Sequence, residues 1–136
     1  MSEAVKKNRP QYTNIHVTQL MNYRMPLASV VSILHRISGA FMFLLLPFIL
    51  YLLEKSLTSE ISFSYLQGIV SHWFVKLIIL GLAWSYLHHF AAGIRHLFMD
   101  SHIGLTKDGA RQTSVAVLAI SLALTFLVAL KLFGAF

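Results

Sequence analysis

Two short clusters of ionisable side chains sit within otherwise apolar stretches of this chain, and they are where chemistry could be done. The first is Ser32-Ile33-Leu34-His35-Arg36. On a helix, His35 and Arg36 fall three and four residues after Ser32, so all three lie near one face. A hydroxyl and a guanidinium placed there can donate hydrogen bonds to a quinone carbonyl or to an anionic cofactor arm. The plainer alternative stays open: Arg36 snorkels to lipid phosphate, and Ser32 bonds its own backbone.

The second cluster is His88-His89-Phe90-Ala91-Ala92-Gly93-Ile94-Arg95-His96, continued by Leu97-Phe98-Met99-Asp100. His89, Gly93 and His96 fall at i, i+4 and i+7, one stripe of a helix. Gly93 removes a side chain one turn from His89, which lets a flat macrocycle approach the backbone. An imidazole on a bundle-facing stripe suits axial ligation of haem iron, and His96 could meet a propionate. His88 points about 100° away from His89, so the adjacent pair cannot bind one metal from one face. A proton relay, or small-residue helix packing with hydrogen-bonded histidines, accounts for the same residues without a cofactor.

These clusters need helices at bilayer depth, and the composition supplies them. Of the 136 residues, 57% are hydrophobic and 12% charged, whereas a soluble domain averages about a quarter charged. The charges gather in short stretches between apolar runs long enough to cross a bilayer, which takes roughly 20 residues each. The fold class this predicts is an all-α integral membrane protein of three transmembrane helices. The spans run over about 27–53, 73–98 and 114–133, within a single membrane-anchor domain 1–136. Pro47 should kink the first span without ending it. Arg36 lies roughly 13 Å along that helix at 1.5 Å per residue, below the headgroups but short of the midplane. A charge there costs at least ~2.5 kcal/mol on insertion scales, so it needs a partner or a purpose.

Basic residues set the direction. Lys6, Lys7, Arg9 and Arg24 precede the first span, and Arg95, Lys107 and Arg111 flank the second loop. The first loop has Lys55, set against Glu54 and Glu60. By the positive-inside rule the N-terminus and second loop are cytoplasmic. The net charge of +6 thus reads as an orientation signal, and no nucleic-acid partner is expected. Without cysteine, the chain can form no disulfide and no cysteine-ligated iron–sulfur cluster. The first 28 residues are polar and mixed, so no cleaved signal peptide is expected.

The combination Arg9-Pro10, then Ser32-x-x-His35-Arg36-x-Ser38-Gly39, then His89-x-x-x-Gly93-Ile94-Arg95-His96-Leu97-x-Met99-Asp100 resembles the cytochrome b anchor subunits of succinate dehydrogenase (respiratory complex II). The likeness covers nearly the whole chain. It implies a multi-pass subunit of the bacterial inner (cytoplasmic) membrane, part of a hetero-oligomeric helix bundle. His89 matches the ligand of haem b iron, the opposite ligand coming from a second small membrane anchor. His35, Arg36 and His96 match positions near the haem propionates, and Ser32 and Arg36 match positions lining the ubiquinone pocket. The implied partners are a flavoprotein subunit, an iron–sulfur subunit, the second anchor, quinone and membrane lipids. The implied role is electron transfer to quinone, with no part in the succinate step itself.

Asp100 is a candidate ion-pair partner for Arg36 or Arg95. Two departures from the family pattern stand out. The stretch from Thr13 to Tyr23 reads as an insertion, and His102 occupies a position usually held by a small residue. A fumarate reductase anchor, a structural anchor without haem, and a small proton or metal transporter are the competing expectations.

Overall fold

The computed structural model describes residues 16, 18–19 and 22–134. Lys6, Lys7, Arg9, Pro10 and most of the Thr13-to-Tyr23 stretch lie outside the described residues. Those described form five helices: α1 (Leu27–Leu44), α2 (Leu46–Thr58), α3 (Glu60–Ser71), α4 (Trp73–Asp100) and α5 (Lys107–Leu132). Among the described residues there is no strand. α1, α4 and α5 are each long and apolar enough to cross a membrane, and the chain is a multi-pass membrane protein.

The first apolar run is divided. α1 stops at Leu44, Leu45 takes φ −91° and ψ 4°, and α2 starts with Pro47 in its first turn. A proline carries no N–H and is tolerated at the start of a helix, where no carbonyl awaits it. Leu45 serves both helices, its N donating back to Phe41 O at 3.1 Å and its O accepting from Ile49 N at 3.0 Å. The 18 residues of α1 give about 27 Å, slightly short of a hydrocarbon core of ~30 Å. The start of α2 must supply the rest.

Residues after Leu53, expected as loop, are helical. Ser59 ends α2 and caps α3 reciprocally with Ser62: Ser62 N donates to Ser59 Oγ at 3.1 Å, and Ser59 N to Ser62 Oγ at 2.9 Å. Ser62 Oγ also donates to Lys55 O at 2.9 Å, tying α3 back to α2. With 12 residues, about 18 Å, α3 is too short to span.

α4 has 28 residues and α5 has 26, about 42 and 39 Å. α4 therefore matches a whole bilayer with its headgroups, ~40–45 Å. It ends on a left-handed residue. His102 takes φ 62°, with His102 N donating to Met99 O and Ile103 N to Phe98 O, both at 2.9 Å. This pair of bonds closes a helix in the Schellman manner, where glycine is the usual occupant.

α4 packs against both α1 and α5. Val31, Ala92 and Val117, one from each helix, form the buried apolar centre. Ser38, Ser85, Ser114 and Ser121 are buried along the same contacts, because small side chains let membrane helices approach closely. Little else is covered. Only 11%, 17% and 11% of the apolar windows of α1, α4 and α5 are buried within the chain. Their outer faces are left uncovered by the chain's own packing.

Candidate functional site

The two clusters meet where α1 crosses α4. The His35 ring lies on the His89 ring, with centroids 4.0 Å apart and planes within 16°. His96 tilts toward the other side of this pair, its centroid 5.0 Å from that of His35. Helix phase explains the meeting: His89, Gly93 and His96 form the α4 stripe that faces α1, and His35 sits one turn from Ser32 and Gly39.

The hydrogen bonding of His89 decides its tautomer. Its Nδ1 lies 3.0 Å from the carbonyl oxygen of His35. A carbonyl only accepts, so Nδ1 carries a proton, and in the neutral ring the lone pair is then on Nε2. Ser38 supports the same point, its Oγ 2.9 Å from His35 O and 3.4 Å from His89 Nδ1. Metal-binding histidines are oriented in this way, one nitrogen donating to a carbonyl and the other directed at the metal. The stacked His35 ring covers a face of His89. It leaves the ring plane open, and that plane contains the Nε2 lone pair.

Gly39 makes this geometry possible, a role the sequence reading did not assign. A Cβ at Gly39 would lie 2.9 Å from His89 Cε1, closer than real contacts come, and a tight 3.2 Å from Nδ1, so the ring would have to shift. Its position in the Ser38-Gly39 motif was the available signal, but only the helix crossing shows which ring needs the space. Gly93 differs. A Cβ there would meet His35 Nε2 at 3.9 Å, an ordinary contact, so the polypeptide's own packing does not require glycine.

Ser32 is half-buried and Arg36 exposed. Among the described residues, neither side chain has a hydrogen-bond or ion-pair partner, and Asp100 pairs with neither Arg36 nor Arg95. Asp100 is exposed near the end of α4, whereas Arg95 is buried and donates through Nε to Thr113 Oγ1 at 3.1 Å. That expectation of an ion pair is not met.

His88 turns the other way, as its phase requires. It is wholly buried against α5, with Nδ1 3.4 Å from Ser121 Oγ and its ring stacked on Trp84. Among the described residues its Nε2 has no hydrogen-bond partner. His88 is thus part of the α4–α5 contact and lies outside the His35–His89–His96 group.

The family model for the succinate dehydrogenase/fumarate reductase transmembrane subunit matches residues 6–128. Three relatives, each named succinate dehydrogenase cytochrome b556 subunit, align along most of the chain. The protein from Paracoccus denitrificans is 32% identical over 133 residues, 98% of either chain. That from Coxiella burnetii is 35% identical over 75% of this chain and 82% of its own. That from Rickettsia prowazekii is 29% identical over 93% and 95%. With three apolar helices in hand and a match through all of them, this chain belongs to the family of succinate dehydrogenase/fumarate reductase transmembrane subunits.

Proposed function

We propose that this chain is the cytochrome b anchor of a succinate:quinone oxidoreductase in a bacterial inner membrane, with the N-terminus and the α4–α5 loop cytoplasmic. His89 would hold haem b iron through Nε2, with a further ligand from a second small anchor subunit. The observation that carries this reading is the His89 Nδ1 bond to His35 O at 3.0 Å. It ties up Nδ1 as the donor, so that Nε2 is the nitrogen left to ligate iron. The name cytochrome b556 borne by the relatives agrees with it. A haem b held here supplies one-electron redox capacity at the membrane end of the complex.

The remaining residues bind and orient. His35 and His96, facing the same opening, donate to haem propionates. Gly93 contributes absence, an open strip of α4 on which a macrocycle edge can rest. Ser32 and Arg36, without a side-chain partner among the described residues, face ubiquinone. The Arg36 guanidinium stabilises negative charge developing on one quinone oxygen, strongly so in a dry site. Ser32 orients the other oxygen or passes it a proton. Flavoprotein and iron–sulfur subunits, docked on the cytoplasmic side, oxidise succinate and deliver the electrons.

The test is to purify the complex under mild conditions and record its subunits and optical spectrum. Two soluble subunits, a second anchor and a b-type absorbance that changes on reduction with succinate are the expected result. A colourless complex that still reduces quinone would refute the haem assignment.

A further inference from the structure

A second cavity lies on the face of α4 opposite His89. It measures about 280 Å³ and runs between α4 and α5. Leu87, Ala91, Ile94 and Phe98 line it from α4, and Val117 and Ile120 from α5. No α1 residue takes part. The four α4 residues repeat at i, i+4, i+7 and i+11, about 130–200° around the helix from the centre of the His89, Gly93 and His96 stripe. The groove is apolar except at one end, where Arg95 and Thr113 stand.

Arg95 is 4% exposed, bonds Thr113 through Nε, and has no acidic partner among the described residues. A buried guanidinium without an anion is costly, and the cost falls sharply once a charge-assisted acceptor arrives. The dimensions identify that acceptor. Arg95 is five residues before the end of α4, about 7 Å, which is where hydrocarbon gives way to headgroups on a helix of this length. From Thr113 to Leu124 the groove extends about 16 Å along α5, close to the ~15 Å of one leaflet's hydrocarbon.

We propose that this groove binds one anionic phospholipid, its acyl chain lying along Ala91, Ile94, Val117 and Ile120, and its phosphate paired with Arg95. A basic site between helices on the cytoplasmic side is suited to such headgroups. The proposal rests on the reading above in one respect: with His89 turned toward the second anchor, the opposite α4 face is the one that meets lipid.

The assembled complex is titrated with phosphatidylglycerol or phosphatidylcholine after partial delipidation, and bound lipids are counted by native mass spectrometry. Wild type is expected to retain one phosphatidylglycerol that phosphatidylcholine does not replace. Arg95→Gln, which can still bond Thr113, should weaken that binding about tenfold and that of phosphatidylcholine, whose phosphate is offset by its own cation, much less, and Arg95→Lys should restore most of the preference. Ala116→Phe fills the groove while keeping the Arg95 guanidinium and should displace the lipid. It serves as the readout should Arg95→Gln not assemble. Equal phosphatidylglycerol binding in wild type and both disruptive variants, or no preference between lipids in wild type, overturns the proposal. The haem spectrum of the same samples keeps the two readings apart. A coloured complex with unchanged lipid binding defeats the lipid site alone, and a colourless one that discriminates lipids defeats the His89 assignment alone.

Discussion

At the scale of single residues, two glycines separate what the polypeptide needs from what a cofactor would need. Gly39→Ala forces a methyl to within 2.9 Å of the His89 ring, so the ring must turn and its bond to His35 O must lengthen. A shifted haem spectrum and potential are expected, with a stability loss of about 1–3 kcal/mol from overpacking. Gly93→Ala meets only an ordinary contact at 3.9 Å, and the folded chain should accept it. If a macrocycle rests there, haem content nevertheless falls. Full haem occupancy in Gly93→Ala would mean that this strip of α4 is not used. Arg36→Leu should lower quinone reduction roughly 100-fold while succinate oxidation with an artificial soluble acceptor is largely retained; equal losses in the two assays would indicate damaged assembly. The histidines and Arg36 were legible in the sequence because ionisable groups are conspicuous within apolar runs. The part played by Gly39 was not, since a missing side chain acquires meaning only when the ring packed against it is known. The Asp100 pairing failed for a related reason: nearness along one helix end does not bring a side chain round to a neighbour's guanidinium.

At the scale of elements, the helix ends carry information that hydropathy does not. His102 closes α4 at φ 62°, a conformation that costs a residue bearing Cβ about 1–2 kcal/mol and costs glycine nothing sterically. His102→Gly should therefore stabilise the assembled protein by about 0.5–1 kcal/mol after glycine's greater unfolded-state entropy is deducted, read as a rise in the thermal midpoint. A lower midpoint would show that the imidazole makes a contact worth more than the strain. The three spans were recoverable from apolar run length, but Pro47 was expected to kink the first helix without ending it, and the helix instead stops at Leu44 and restarts at Leu46 with the proline in its first turn. The helix over Glu60–Ser71 was hidden because it is short, interrupted by serines and preceded by charges, all of which read as loop. Its Ser59–Ser62 cap was present in the sequence but lacked the acidic or amide third residue by which such boxes are usually noticed.

At the scale of the whole molecule, the chain leaves most of its membrane surface uncovered. Its spans bury little of their apolar surface internally, and under the proposed function His89 would supply one haem ligand and a partner subunit another. Orientation is open to direct measurement because the chain has no cysteine of its own. Ser101→Cys, in the α4–α5 loop, should react with a membrane-impermeant maleimide only from the cytoplasmic side, and Ser59→Cys, between α2 and α3, only from the opposite side. The reverse pattern would invert the topology and move the quinone pocket to the wrong leaflet.

Ligation by His89 is what the rest depends on, and the reduced-minus-oxidised spectrum of the purified complex tests it with its own controls. His89→Gly should remove or reshape the b-type signal, and added imidazole should restore it in part. His88→Phe, which changes the neighbouring buried ring but keeps its stack on Trp84, should leave the signal as in wild type. An unaltered spectrum in His89→Gly would contradict the account.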